Sequence, residues 1–234
     1  AASTLAGSAN FTKTGTGTLT LSGSSSYSGA MTLQNGIVEM SNGASLSSGT
    51  GITIQGGAGT VGGTGYPFNG VTRGGTLYLR DDSGSPGGNQ LGSQTLTLNN
   101  GSVLWYSGGG GDTTTISTVS LAGGFNTIGV APNSSPDVLK ITNLNRTAGA
   151  TVEFRSAWNL LGTGEAQIRP TNINGSPITN VNGILGGWAF VADIGHSDRR
   201  TFNVMGDAVN LAARLMSRAA PGTVLSTTGT VDAS

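Results

Sequence analysis

Cysteine is absent from the 234 residues, and histidine occurs once, at His196. The first absence excludes a disulfide framework, a thiolate nucleophile and cysteine-ligated zinc. The second leaves His196 without a second histidine for a usual zinc site. Charge is scarce as well. Eleven basic and 11 acidic residues make up 9% of the chain and cancel to a formal net charge of zero, against roughly 25% charged residues in an ordinary domain. A chain so poor in Lys and Arg is not expected to bind nucleic acid, whose affinity rests on those side chains. Aromatic residues are 6%, too few to fill a thick sandwich core. Proline is also sparse, at 7 residues beside 41 glycines with no Gly-X-Y period, which excludes collagen. A hydrophobic fraction of 35% without net charge separates the chain from disordered sequences. No apolar run approaches the roughly 20 residues of a membrane-spanning helix. The opening "AASTLAGSAN" has neither the charged nor the apolar region of a signal peptide, so an exported protein would have its targeting signal removed or outside this sequence.

What remains is a chain of short alternating segments. "TLTL" (18–21), "MTL" (31–33), "IVEM" (37–40), "ITI" (52–54), "TLYL" (76–79) and "TLTL" (95–98) come first. "VLWY" (103–106), "ISTVSL" (116–121), "NTIGV" (126–130), "VLKIT" (138–142) and "TVEF" (151–154) follow. Threonine alternating with Leu or Ile has the period of two that sends one face inward and the other to solvent. Steps such as Asn35-Gly36, Asn42-Gly43 and Asn100-Gly101 supply the positive φ of tight turns. Strands so short, with small outward residues, suit a parallel β-solenoid with a narrow aliphatic core better than a sandwich or barrel. Coils of roughly 20 residues stacked about 4.8 Å apart predict a rod of some 40–45 Å.

The stretch "FTKTGTGTLTLSGSSSYSGAMTLQNGIVEMSNGASL" (11–46) resembles the autotransporter-associated β-strand repeat, with its Lys-Thr-Gly-x-Gly-x-Leu-x-Leu-x-Gly core and following Tyr-x-Gly. "QTLTLNNGSVLWY", "TISTVSLAGGFNTIGV", "LNRTAGATVEF" and "NGILGGWAFV" carry the resemblance through most of residues 10–191. It implies a right-handed β-helix over residues 1–190, part of a secreted or cell-surface bacterial passenger. Such passengers serve mainly as stalks, adhesins and carriers. The partners implied are a host surface or an extracellular glycan, and no enzymatic activity is implied. The outer-membrane barrel that normally follows such a passenger is not in this sequence. The lack of cysteine agrees with a chain that threads unfolded through a pore.

Within this region the adjacent carboxylates Asp81-Asp82 invite a calcium or glycan-hydrolysing reading. A charged loop with Arg80 as partner is the plainer expectation. "GGGGDTTT" (108–115) has one Asp and does not reproduce the Gly-Gly-x-Gly-x-Asp calcium repeat, and no phosphate loop occurs. Trp105, Tyr106, Trp158 and Trp188 are candidates for sugar stacking or, as the plainer alternative, for core filling. Asn-x-Ser/Thr triplets at Asn10, Asn133, Asn145 and Asn174 arise by chance in a Ser- and Thr-rich chain.

Composition changes after residue 190. Arg199, Arg200, Arg214 and Arg218 fall close together, and turn signals vanish until Pro221-Gly222. Residues 189–194 and 201–205 read as strands, 208–219 as a helix capped by Asp207, and 223–226 as a further strand. The expected fold class is thus an all-β solenoid with a small α/β tail over 191–234. "DIGHSDRRTFNVMGDAVNLAARLMSRAAPGTVLST" resembles the C-terminal half of a class III adenylate/guanylate cyclase catalytic domain. The resemblance implies that Asn210 orients the ribose, that Arg214 neutralises the triphosphate, and that Asn203 stands where the purine is read. Their i, i+4 spacing puts Asn210 and Arg214 on one helix face. The family's two metal-binding aspartates have no counterpart here: Asp193, in "FVADIG", stands too near Thr201 to be one. Without Mg or Mn the transfer lacks its charge neutralisation, so this tail is expected to be catalytically silent and the chain to need no cofactor. The two halves also demand different compartments, because a passenger is exported and a cyclase consumes cytosolic nucleotide.

Overall fold

A computed structural model describes residues 3–41, 43–46, 51–56, 75–81, 90–109, 111–132, 137–157, 161, 166–178, 189–192 and 202–203. The chain winds through repeated passes of short strands. The first pass carries β1 (Ala6–Gly7), β2 (Phe11–Lys13) and β3 (Thr18–Leu21). The second carries β4 (Ser24–Tyr27), β5 (Met31–Leu33) and β6 (Ile37–Met40), and the third β7 (Ser45–Leu46), β8 (Ile52–Gln55) and β9 (Thr76–Asp81). Two strands per pass follow: β10 (Thr95–Asn99) with β11 (Ser102–Ser107), β12 (Thr113–Gly123) with β13 (Phe125–Ala131), and β14 (Val138–Arg146) with β15 (Thr151–Ser156). The series ends in β16 (Gln167–Ile173), β17 (Ser176–Pro177), β18 (Ala189–Ala192) and β19 (Phe202–Asn203).

Like strands of successive passes pair in parallel. β2, β5, β8, β10, β12, β14 and β16 form one sheet, and β3, β6, β9, β11, β13, β15 and β18 a second. A three-stranded sheet, β1-β4-β7, closes the third side of the early passes. The antiparallel strands β17 and β19 end the two long sheets. Among the described residues the protein is an all-β solenoid with no helix. The expected helix 208–219 and strand 223–226, with Asn210 and Arg214, lie outside the described residues. β18 straddles the boundary drawn at residue 190.

The core is a stack of aliphatic ladders. Met31, Ile52, Leu96, Val119 and Leu144 occupy one register column of the first sheet, and Val38, Leu77, Val103, Ile128 and Phe154 one of the second. All ten belong to one buried cluster. Each such side chain contributes about 1.5–3 kcal/mol on leaving water.

Two expectations need correction. At about 4.8 Å between strands each long sheet is roughly 30 Å tall, shorter than the rod expected. Passes lengthen along the chain: equivalent positions are 20 residues apart at Leu5 and Ser25 and 25 apart at Asp112 and Asp137. β8 pairs directly with β10, and β9 with β6 and β11, so no further strand enters either long sheet between them. In addition, while β3 keeps Thr18 and Thr20 exposed, the second sheet is buried on both faces from β6 to β13. Its outward positions Ile37, Tyr78, Leu104 and Ala131 form a second buried apolar cluster, with the partly buried Tyr106 against it. Runs such as "VLWY", and "IVEM" with its single glutamate, are the sequence mark of a parallel strand covered on both sides. The first sheet and β3 keep the alternation of apolar inside and polar outside.

Candidate functional site

Many polar side chains stand at corners, where the backbone consumes them, and on the outward face of the first sheet Asn172 Nδ2 likewise donates to the Thr142 oxygen at 3.1 Å and to Asn143 Oδ1 at 3.2 Å. At the first corner Lys13 Nζ donates to the carbonyl oxygens of Thr14 (2.9 Å), Gly15 (2.8 Å) and Asn35 (3.4 Å). A turn whose carbonyls converge needs a donor, and an ammonium with three hydrogens supplies it. At the next corner the Tyr27 hydroxyl lies 2.8 Å from the carbonyl oxygens of both Ala9 and Ala30. A Cβ on Gly29 would stand 2.6 Å from that hydroxyl, so the close approach of the two passes requires glycine there.

Further along, the fully buried Asn126 staples three passes. Its Oδ1 accepts the Gly101 N–H at 3.2 Å, and its Nδ2 donates to the oxygens of Gly123 (2.9 Å) and Thr151 (3.1 Å). Asn100, with φ 62°, takes the left-handed conformation at this corner. A side chain that both donates and accepts suits such a position, because the main-chain groups it meets are of both kinds. Carboxylates serve likewise at the opposite corner. Ser107 Oγ donates to Asp112 Oδ2 at 2.7 Å, and the Asp112 N–H donates to Asp137 Oδ1 at 2.8 Å.

The candidates read from sequence fall as follows. Asp81 is buried at the end of β9, opposite Ser107, and Asp82 lies outside the described residues. Arg80, on the other face of the strand, places Nη1 3.5 Å from Glu39 Oε1 of the neighbouring strand. A cross-strand glutamate is thus one ion-pair partner of Arg80. Trp105 is 1% exposed inside the core, so it fills the solenoid and offers no stacking platform. Tyr106 points the other way and packs on the second apolar cluster. Trp158, Trp188 and His196 lie outside the described residues. Asn203 stands in β19, paired antiparallel with Val191. Among the described residues no group of three or more His, Cys, Asp or Glu side chains is arranged to hold a metal ion, and no helix is long and apolar enough to cross a membrane.

One buried charge had no sequence signal. Arg155, on β15, is 3% exposed, and its Nε and Nη1 have no hydrogen-bond partner. Burial pushes the guanidinium below its ordinary pKa, with Glu153 acting in the opposite direction. Glu153 in turn accepts from Thr127 Oγ1 at 3.3 Å.

On the first sheet the outward column through Thr12, Thr32, Thr53 and Thr97 continues into Ser120 and Asn145. The four threonines are exposed or half-buried, and their hydroxyls have no hydrogen-bond partner among the described residues. The spacing of threonines one pass apart was the signal for this row, legible once the register is known.

No curated protein and no solved structure matches the chain. Residues 11–40 match the family model of the passenger-associated-transport-repeat, and they are the residues that build β2 to β6 with the Lys13 and Tyr27 corners. The β-solenoid around that match fits an autotransporter passenger repeat.

Proposed function

We propose that this chain is a structural and adhesive β-solenoid of the autotransporter passenger type, secreted or held at a bacterial cell surface, without catalysis of its own. The observation that carries the reading is the passenger-repeat match at residues 11–40, set in parallel sheets that continue the same winding as far as β18. The reading also draws on the corner chemistry, since the polar side chains that bridge passes are bound to main-chain groups and to one another. A host surface or an extracellular glycan is the partner such a rod would meet. Expression in a bacterium with its native export signal, followed by protease treatment of intact cells, tests the location. Digestion of the chain while cytoplasmic markers survive is the expected result, and full protection until lysis would overturn it.

A second reading attaches to the segment after residue 190, where the pattern from Arg199 to Leu215 favours descent from a nucleotide cyclase. In it Asn210 and Arg214 form the transition-state pair, Asn203 meets the purine, and Mg or Mn is needed. Incubating the purified chain with ATP or GTP and Mn²⁺ separates the two. No cyclic nucleotide is expected, whereas turnover abolished by Arg214→Ala would refute the silent scaffold.

A further inference from the structure

We infer that the Asn174-Gly175 step, at the tip of the hairpin joining β16 to β17, is a site of spontaneous deamidation whose isoaspartyl product releases β17 from the first long sheet. Asn35-Gly36, Asn100-Gly101 and Asn174-Gly175 lie wholly within the described residues and share one chemistry. The main-chain nitrogen of the glycine loses its proton and attacks the asparagine Cγ. A C–N bond forms, and the side-chain nitrogen leaves as ammonia. Water then opens the cyclic imide at either carbonyl, giving an aspartyl or an isoaspartyl residue. Glycine favours the attack because no Cβ crowds its nitrogen. The three steps differ in the state of that nitrogen, of the carbonyl it attacks and of the backbone that must turn.

In two of them the nitrogen is engaged. The Gly101 N–H donates to the buried Asn126 Oδ1 at 3.2 Å, and a Cβ on Gly101 would stand 2.6 Å from Ile54 Cγ2, so this step is clamped between passes. The Gly36 N–H donates to Asn35 Oδ1 at 2.8 Å, and hydrogen bonding to a protonated form opposes loss of its proton. Gly36 is also wedged: a Cβ there would stand 2.5 Å from the oxygens of Gly15 and Gly17, and its own carbonyl accepts the Thr76 N–H at 2.9 Å.

The third step is free where the others are held. Asn174 and Gly175 are exposed, and their φ of 49° and 77°, with Ile173 opposite Ser176, make the two-residue type I′ turn that Asn-Gly favours. The Gly175 N–H has no hydrogen-bond partner among the described residues. Asn174 Oδ1 accepts the Arg146 N–H at 2.7 Å. That donor stands where negative charge grows on the oxygen as the nitrogen adds, which is the arrangement of an oxyanion hole. β17 pairs with β16 only through Asn172 opposite Pro177 and Ile173 opposite Ser176, so the tip can turn Cγ towards the nitrogen without disturbing the parallel ladders. An isoaspartyl linkage then carries an extra methylene into the main chain, and a two-residue turn has no slack to absorb it. β17 parts from β16, and the edge it covered is left open.

The purified chain is incubated in alkaline buffer made with heavy-oxygen water, beside a mildly acidic control, and digested under the acidic condition. Mass spectrometry with electron-transfer fragmentation then tells isoaspartyl from aspartyl at each position. In the folded chain position 174 should react at least tenfold faster than positions 35 and 100, whereas in urea the three rates should fall within threefold of one another. Equal rates in the folded chain, or a faster reaction at position 35 or 100, overturn the assignment. A tenfold preference that persists in urea would trace it to local sequence and overturn the structural cause. Hydrogen exchange at Ile178, whose N–H donates to the Thr171 oxygen at 3.1 Å, reads the hairpin. The aged chain should lose that protection in proportion to its isoaspartyl content at position 174. Asn174→Asp, which brings the carboxylate without the methylene, should keep it. Unchanged protection in the aged chain, or equal loss in Asn174→Asp, overturns the release of β17.

Discussion

Replacing Asn126 by alanine isolates the contribution of the corner staples to stability. The side chain is fully buried and the Gly101 N–H donates to Asn126 Oδ1 at 3.2 Å. The Gly123 oxygen keeps the Asn100 N–H at 3.2 Å when the amide is removed, so its loss is partial. One orphaned buried donor costs about 1–3 kcal/mol, and the two bonds lost from Nδ2 add about 0.5–1.5 kcal/mol each before relaxation. Partial compensation brings the expected loss to about 2–4 kcal/mol. Urea unfolding followed by tryptophan emission reads it globally, since Trp105 is buried in the core. Hydrogen exchange at the Gly101 amide reads it locally.

Asn126→Asp sharpens the test. It keeps an acceptor for Gly101 but sets a carboxylate oxygen where Nδ2 now meets the Gly123 and Thr151 oxygens at 2.9 and 3.1 Å. The ionised form is repelled there and the protonated form can donate, so the folded-state pKa of the new carboxyl lies above its unfolded value. The stabilising contribution of that carboxyl is then present below the unfolded pKa and lost as pH rises through the folded one. Asn126→Asp should therefore be the less stable variant at pH 7 and overtake Asn126→Ala on acidification towards pH 4. A loss under 1 kcal/mol for alanine, or an aspartate variant whose stability relative to alanine ignores pH, would refute the staple.

Lys13→Met removes the donor from three carbonyl oxygens, and with the discount for partial exposure should cost about 1–2 kcal/mol in urea unfolding. Gly29→Ala drives a Cβ against both the Tyr27 hydroxyl and the backbone of Ala9, so a loss of about 1–3 kcal/mol in thermal or urea unfolding is expected. Adding Tyr27→Phe should not rescue it, because the Ala9 backbone remains. Arg155→Met relieves a desolvated guanidinium and should leave stability unchanged or raise it by about 1 kcal/mol. The folded pKa of this base is lowered, so the penalty stands wherever unfolded arginine is charged. The effect of Arg155→Met should accordingly be the same at pH 5 and pH 9 in urea titrations.

The sequence discloses the winding more readily than its dimensions. Each alternating segment from "TLTL" at 18–21 to "TVEF" at 151–154 forms part of a strand, because a period of two with turn formers between has one local solution. The strands that escaped reading lack an apolar pair: β4 is Ser-Ser-Ser-Tyr, and β16 mixes Gln, Arg, Pro and Asn. Their strand state is imposed by the neighbours they stack on. The covered outer face of the second sheet was written in "IVEM" and "VLWY" but was masked by the more numerous Thr-Leu alternations. Arg155 could not be found from sequence at all, because burial of a charge is set by what lies over it. The corner roles of Lys13 and Tyr27 were visible only as members of a motif, which marks a position without giving its chemistry.

That last distinction bears on where function resides in such a rod. The motif residues Lys13, Tyr27 and Gly29 are bound to main-chain atoms or required by close approach, and Asn126 and Asp112 are consumed in the same way. Residues so engaged report how passes join, and a match built on them identifies an architecture and is silent about a ligand. The outward threonines contribute nothing to the corners and are replaceable by any residue that tolerates a strand. Substitutions at the corners should therefore cost stability, whereas substitutions in the column from Thr12 to Asn145 should leave the winding intact. In a solenoid, where each pass contacts only its neighbours, a change on that face stays local. The hydroxyl-bearing row across four consecutive strands follows from the same rule, since a β-branched residue suits the pleated outer face on which it stands.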